Sequence, residues 1–160
     1  MKTNKKRICF IGHRYINYFP AKKRLTEIIK IEIENGCKFF TMGTYGQFDS
    51  LALEVCRELR HTYKNIEIEV VVTSLNKIKT IVYNDTFGHE TYVPYNDVKT
   101  IMYDIESEHY KRKITISNRQ MIDSCDTLIA YVDNQRSYGG AISAYKYVKK
   151  KGLRIINIYN

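Results

Sequence analysis

Apolar and polar residues follow two different periods along this chain, and the period switches several times. "RICFIG" (7–12) is a short apolar run closed by a glycine, which predicts a buried strand. Between Pro20 and Gly36, residues Leu25, Ile28, Ile29 and Ile33 recur at helical spacing. A helix is expected there, with the proline at its first position and the glycine at its end. "KFFTMG" (38–43) reads as a second strand ending in glycine. "FDSLALEVCRELRHTY" (48–63) puts Phe48, Leu51, Ala52, Val55 and Leu59 on one helical face, and "IEIEVVVT" (66–73) is a third strand. The pattern weakens between 74 and 113, where Tyr, Asn and Asp are frequent and only "TIMYDI" (100–105) suggests a short strand. From about residue 114 a helix carries Ile114, Met121, Ile122 and Cys125 inwards. "TLIAYV" (127–132) is another strand. "GGAISAYKYVKKKG" (139–152) is a helix between glycines, with Ala141, Ala144, Tyr145 and Val148 on one side, and "LRIINIY" (153–159) is a last strand.

Strands alternating with helices predict an α/β fold: a single Rossmann-like domain over 1–160, its mostly parallel sheet covered by helices on both faces. The 160 residues suit one domain, and no repeat, linker or internal boundary interrupts them. Ligands of such sheets bind beyond the carboxyl ends of the strands, where the strand order reverses. The turns after the strands are therefore where chemistry is expected.

Composition narrows the class. With 44% hydrophobic and 27% charged residues the chain is globular rather than disordered. No apolar run approaches the roughly 20 residues of a membrane span, and "ICFIG" after the basic N-terminus is too short for a signal peptide. A cytoplasmic protein with no membrane partner is the expectation. The formal net charge of +9 invites nucleic-acid binding. The basic residues are scattered, however, with short clusters only at 5–7, 22–24, 111–113 and 149–151. Lys, Ile, Asn and Tyr are abundant together, as an AT-rich genome would produce. Solvated helix faces explain most of the charge, so nucleic acid is the lesser expectation. Cys9, Cys37, Cys56 and Cys125 share no CxxC or Cys/His spacing, so buried free thiols and no metal site are expected.

Three strand ends resemble one another: Gly12-His13-Arg14, then Gly43-Thr44-Tyr45-Gly46, then "DNQRSYGG" (133–140) with Asp133, Ser137, Gly139 and Gly140. Glycines there let backbone N–H groups approach a phosphate, and a helix N-terminus adds partial positive charge. Arg14 can add a bidentate contact. The expectation is one shared phosphate cradle with no required cofactor. None of the loops is a Walker A or GxGxxG fingerprint, which argues against a standard ATPase or a nicotinamide dehydrogenase. Asp49 has two readings, a carboxylate suited to the start of its helix or an acceptor for a ribose. His13 reads as a binding or structural group rather than a general base. Asn118-Arg119 is expected to open a helix, from which Arg119 either folds towards the cleft or stays on the surface. No catalytic residue is assigned.

"FIGHR", "GTYGQFDSLALEV" and "SNRQMIDSCDTLIAYVDNQRSYGGAISAYKYVKKKGLRIINI" together resemble the SLOG superfamily, specifically its YpsA-like branch. The resemblance covers nearly the whole chain and is weakest at 74–108. It implies a Rossmannoid fold that binds nucleotides or nucleotide-derived ligands, ADP-ribose-like or cyclic. It points to Gly12, Arg14, Gly43, Gly46, Asp49, Arg119, Gly139 and Gly140 as ligand-contacting positions. Relatives in that superfamily include cytokinin-activating phosphoribohydrolases, single-strand DNA-binding recombination mediators and ligand sensors of bacterial defence systems. The phosphoribohydrolase branch resembles "GG-GT--E" at the last strand-to-helix turn. Here Ala141 stands in the threonine place and Ala144 close to the glutamate place, so that hydrolysis would lack its acid/base group, with nearby Asp133 as the alternative carboxylate. The resemblance therefore implies a sensor or sequestering module of bacterial or phage origin, with homo-oligomerisation open. A nucleotide-processing enzyme and a single-strand nucleic-acid binder are the alternatives.

Overall fold

The computed structural model describes residues 6–72, 79–84, 90–94, 97–101 and 110–159. Its centre is a six-stranded sheet of β1 (Arg7–Gly12), β2 (Phe39–Met42), β3 (Glu67–Val71), β6 (Lys99–Ile101), β7 (Thr127–Tyr131) and β8 (Arg154–Asn157). Every pairing in it is parallel, in the order β6-β3-β2-β1-β7-β8. A separate antiparallel pair, β4 (Lys79–Asn84) and β5 (Glu90–Pro94), completes the strands. Four helices are described: α1 (Tyr18–Glu34), α2 (Gln47–Arg60), α3 (Tyr110–Asp123) and α4 (Gly140–Lys151).

The two-residue period of β1 builds both faces of the sheet. Ile8 and Phe10 join a core with Leu25 and Ile29 of α1 and Phe48, Leu51 and Val55 of α2. Cys9 and Ile11 join the opposite core with Met121 and Ile122 of α3 and Ile142 and Val148 of α4. A strand buried on both sides reads as a continuous apolar run, as "ICFI" does. All four cysteines are buried and free.

From β1 the chain steps outwards through β2 and β3 to β6, then returns to the other side of β1 for β7 and β8. The strand order therefore reverses between β1 and β7. That switch point leaves a crevice at the carboxyl ends of the two strands.

Several expected elements are corrected. α1 begins at Tyr18, so Pro20 is its third residue rather than its first. The first turn still accepts a proline, because its N–H groups have no helical partner in any case. α3 begins at Tyr110, before the apolar spacing becomes visible at 114. Asn118-Arg119 lies well inside that helix and does not open it. The β4–β5 pair was not anticipated. The expected strand "TIMYDI" is found only as Thr100-Ile101 at the end of β6, its remainder lying outside the described residues.

Candidate ligand-binding cleft

The turn after β1 is fastened to both neighbours. The His13 N–H donates to the Tyr131 carbonyl at 3.1 Å, extending the β1–β7 ladder past Gly12. His13 itself is buried, and its Nε2 accepts the Asp133 backbone N–H at 2.7 Å. The other ring nitrogen then carries the proton of the neutral imidazole. Burial lowers the His13 pKa, Arg136 lowers it further, and Asp133 opposes them. This imidazole holds the β1 and β7 turns together and does not present Nε2 as a base.

On the other side, the Arg14 carbonyl accepts the Gln47 N–H at 2.9 Å and Gln47 Oε1 accepts the Ile16 N–H at 3.0 Å. The first helical N–H of α2 is thus occupied by the β1 turn. Asp49, in the first turn of α2, reaches back so that Oδ2 accepts the Tyr45 N–H at 3.0 Å, and the Gly43 N–H also donates to this carboxylate. Desolvation nonetheless pushes the Asp49 carboxyl up to about 6, the two N–H donors opposing it. Gly46 permits this arrangement through space rather than dihedral freedom, since its φ of −166° is ordinary extended backbone. A Cβ there would stand 2.8 Å from Arg14 Cα. The glycine lets two turns touch.

The end of α4 is built differently. Gly139, its N-cap, has φ +125°, a conformation that side chains rarely adopt. No side chain caps the helix, and no acidic residue occupies its first turn. A Cβ on Gly139 or Gly140 would meet nothing within 4 Å. The N–H groups of Gly140, Ala141 and Ile142 have no hydrogen-bond partner among the described residues.

Between these turns lies a cleft of about 280 Å³. Gly12, His13 and Arg14 line it from the end of β1 and the turn after it, Tyr45 from the β2–α2 turn, Asp49 from the first turn of α2, Asn118 from α3, and Gly139 and Gly140 from the start of α4. These eight expected residues come from four separated stretches of chain. The guanidinium of Arg14 is exposed and bonds to no described residue. The Asn118 amide, half-buried in the wall, has no partner among the described residues either.

Six other expected residues do not line the cleft. Arg119 turns away, its guanidinium carbon 5.2 Å from the centre of the Tyr147 ring on the seam between α3 and α4. Asp133 is held in its own loop, with Oδ1 accepting the Gln135 N–H at 2.9 Å and Oδ2 accepting the Tyr159 hydroxyl at 3.4 Å. Ser137 is exposed. Gly43 and Gly46 lie behind the Tyr45 and Asp49 wall, and Thr44 Oγ1 is buried without a hydrogen-bond partner. The two glycine turns share one edge of the sheet; Gly139 and Gly140 line the cleft, and Gly43 and Gly46 do not. A Cβ in the first turn would meet protein atoms, and one in the second would meet nothing within 4 Å.

Sequence reasoning missed Arg136 and Tyr138 from the β7–α4 turn and Ala141 from the first turn of α4, along with Ile11 and Ile114. Arg136 and Tyr138 sit inside "DNQRSYGG", where no spacing distinguishes them from other surface residues. Among the described residues no group of three or more His, Cys, Asp or Glu could hold a metal ion, and no helix is long and apolar enough to cross a membrane. No family model and no curated protein matches this chain.

Proposed function

We propose that the protein binds a nucleotide or nucleotide-derived ligand in this cleft, as a sensor or sequestering module. One observation carries the reading: an uncapped helix N-terminus and an arginine with no partner among the described residues line one crevice at the switch point of a parallel sheet. Backbone N–H groups with a partial positive charge suit a phosphate, and a guanidinium adds a directional charged contact. The resemblance to the SLOG superfamily supports the same ligand class.

A phosphoribohydrolase is the second reading. It would need a carboxylate on the first turn of α4. Ala141 offers a methyl group to the cleft and Ala144 is buried in the core beneath it. Asp49 supplies a carboxyl in the opposite wall, but its oxygens already serve the Gly43–Tyr45 turn. Binding without turnover is therefore the leading function.

Thermal-shift measurements against nucleoside mono- and diphosphates, cyclic nucleotides and ADP-ribose test the proposal. A ligand at 100 times its Kd stabilises the fold by about 2.7 kcal/mol, which several degrees of shift would report. No shift with any member of the panel, confirmed by calorimetry, would overturn the reading.

A further inference from the structure

The β7–α4 turn carries two side chains that the phosphate argument leaves unused. Tyr138 lines the cleft and is 86% exposed. Tyr15 and Phe19 are also exposed aromatics, but neither lines it. Arg136 lines the same wall, and its Nε lies 4.0 Å from Asp133 Oδ2, the outer limit of an ion pair. Asp133 is already satisfied by Gln135 and Tyr159, so Arg136 can leave it at little loss.

Resting on the nucleotide reading above, we propose that Tyr138 is the base-stacking platform of the cleft and Arg136 a second phosphate contact beside Arg14. The ligand is then a 5′-mononucleotide. Three observations support this. An aromatic face beside an anion site is what a nucleobase attached to a phosphate requires, because every base has a π-face to stack. The 280 Å³ cleft lies just below the roughly 300–1,000 Å³ of ordinary small-molecule sites, which suits one nucleotide and leaves the second half of a dinucleotide outside. Gly139, with φ +125°, follows Tyr138 directly, so the ring is carried next to the open N-terminus of α4. Base and phosphate would then be held by adjoining parts of one turn.

Calorimetry with AMP, GMP, CMP and UMP, against ribose 5-phosphate as the base-free probe, tests this. At least one of the four should bind the wild-type chain more tightly than ribose 5-phosphate. Tyr138→Ala should weaken that nucleotide roughly ten- to a hundredfold, the effect of losing one stacked base, and leave ribose 5-phosphate unchanged. Arg136→Ala should weaken both probes. The chain contains no tryptophan, so Tyr138→Trp introduces a single indole whose fluorescence a stacked base should quench and ribose 5-phosphate should not. Equal binding of the nucleotides and ribose 5-phosphate, or nucleotide affinity untouched by Tyr138→Ala, overturns the stacking proposal while the anion site stands. Failure of all five probes to bind the wild type overturns the anion site as well.

Discussion

His13 Nε2 and the Asp133 backbone N–H, 120 residues apart in sequence, meet at 2.7 Å across the switch point of the sheet. This bond needs a neutral imidazole, because a protonated ring has no lone pair to accept with. The His13 pKa is lowered from 6.5 in the fold, chiefly by burial, so the unfolded chain takes up its proton first as pH falls. The stabilisation is fully present above 6.5 and is lost as pH falls through the lower folded value. The wild-type Tm should therefore drop below pH 6.5. His13→Gln should lose about 1–3 kcal/mol at pH 7.5 and show a shallower fall. Parallel Tm–pH curves for the two proteins would remove His13 from this role.

Asp49 has the opposite sign. Its carboxyl is raised from 3.8 to about 6, so the fold favours the protonated form. The contribution is full below 3.8 and disappears as pH rises through about 6. At neutral pH the ionised carboxylate is a burden, partly relieved by the Tyr45 and Gly43 N–H groups. Asp49→Asn keeps an acceptor oxygen and removes the charge. It should match the wild type near pH 4 and exceed it by about 1–3 kcal/mol at pH 7, measured by urea denaturation. A variant less stable than wild type at pH 7 would mean that the N–H donors outweigh burial.

The glycines separate by what surrounds them. Gly46→Ala places a methyl group 2.8 Å from Arg14 Cα, where only backbone movement can make room. It should cost about 1–3 kcal/mol, the range for overpacking, and displace Arg14, weakening binding as well. Gly140→Ala meets open space. It should keep or slightly raise stability. Circular dichroism melts of the two variants decide this. Equal melts would show that the contact of the β1 and β2 turns is soft.

The α/β architecture was legible because both-face burial leaves unbroken apolar runs and one-face burial leaves a 3.6 period. β1 and α2 announce themselves in this way. β4 and β5 do not: "KTIVYN" and "ETYVP" are short, mixed and set among polar residues, so no period emerges. The start of α3 was hidden for a similar reason, "YKRK" being polar around its whole first turn. Glycines marked the edge of the sheet at which the cleft lies. Which glycines are packed against protein and which meet open space was not legible, because that depends on neighbours brought in by folding. Gly46 answers to Arg14 and Gly139 to its own dihedral. Arg119 shows the same limit, since the helical phase that aims it at Tyr147 follows from where α3 packs on α4.

A turnover assay addresses the enzyme alternative. The first turn of α4 presents Gly140 and Ala141 to the cleft and no carboxylate. Purified protein should not release free base from AMP at an enzyme-like rate, when followed by chromatography over hours. Robust, dose-dependent release that disappears in Asp49→Asn would replace the binding module with a hydrolase and make Asp49 its acid/base group.

Arg14 offers the cleanest separation of binding from folding. Its backbone is tied down by Gln47 and packed against Gly46, while its guanidinium makes no hydrogen bond or ion pair with a described residue. Removing the side chain should therefore change stability by no more than about 0.5 kcal/mol. Arg14→Ala should weaken an anionic ligand by about 1.5–3 kcal/mol, the range for a hydrogen bond to a charged group. Arg14→Lys separates charge from geometry: a planar fork on phosphate oxygens is only partly replaced by a point charge. The lysine variant should fall between wild type and alanine in a titration with the ligand found by thermal shift. Full recovery by lysine would make Arg14 a source of field alone. Affinity unchanged in Arg14→Ala, with the melt intact, would take Arg14 out of the site and leave anion binding to the open end of α4.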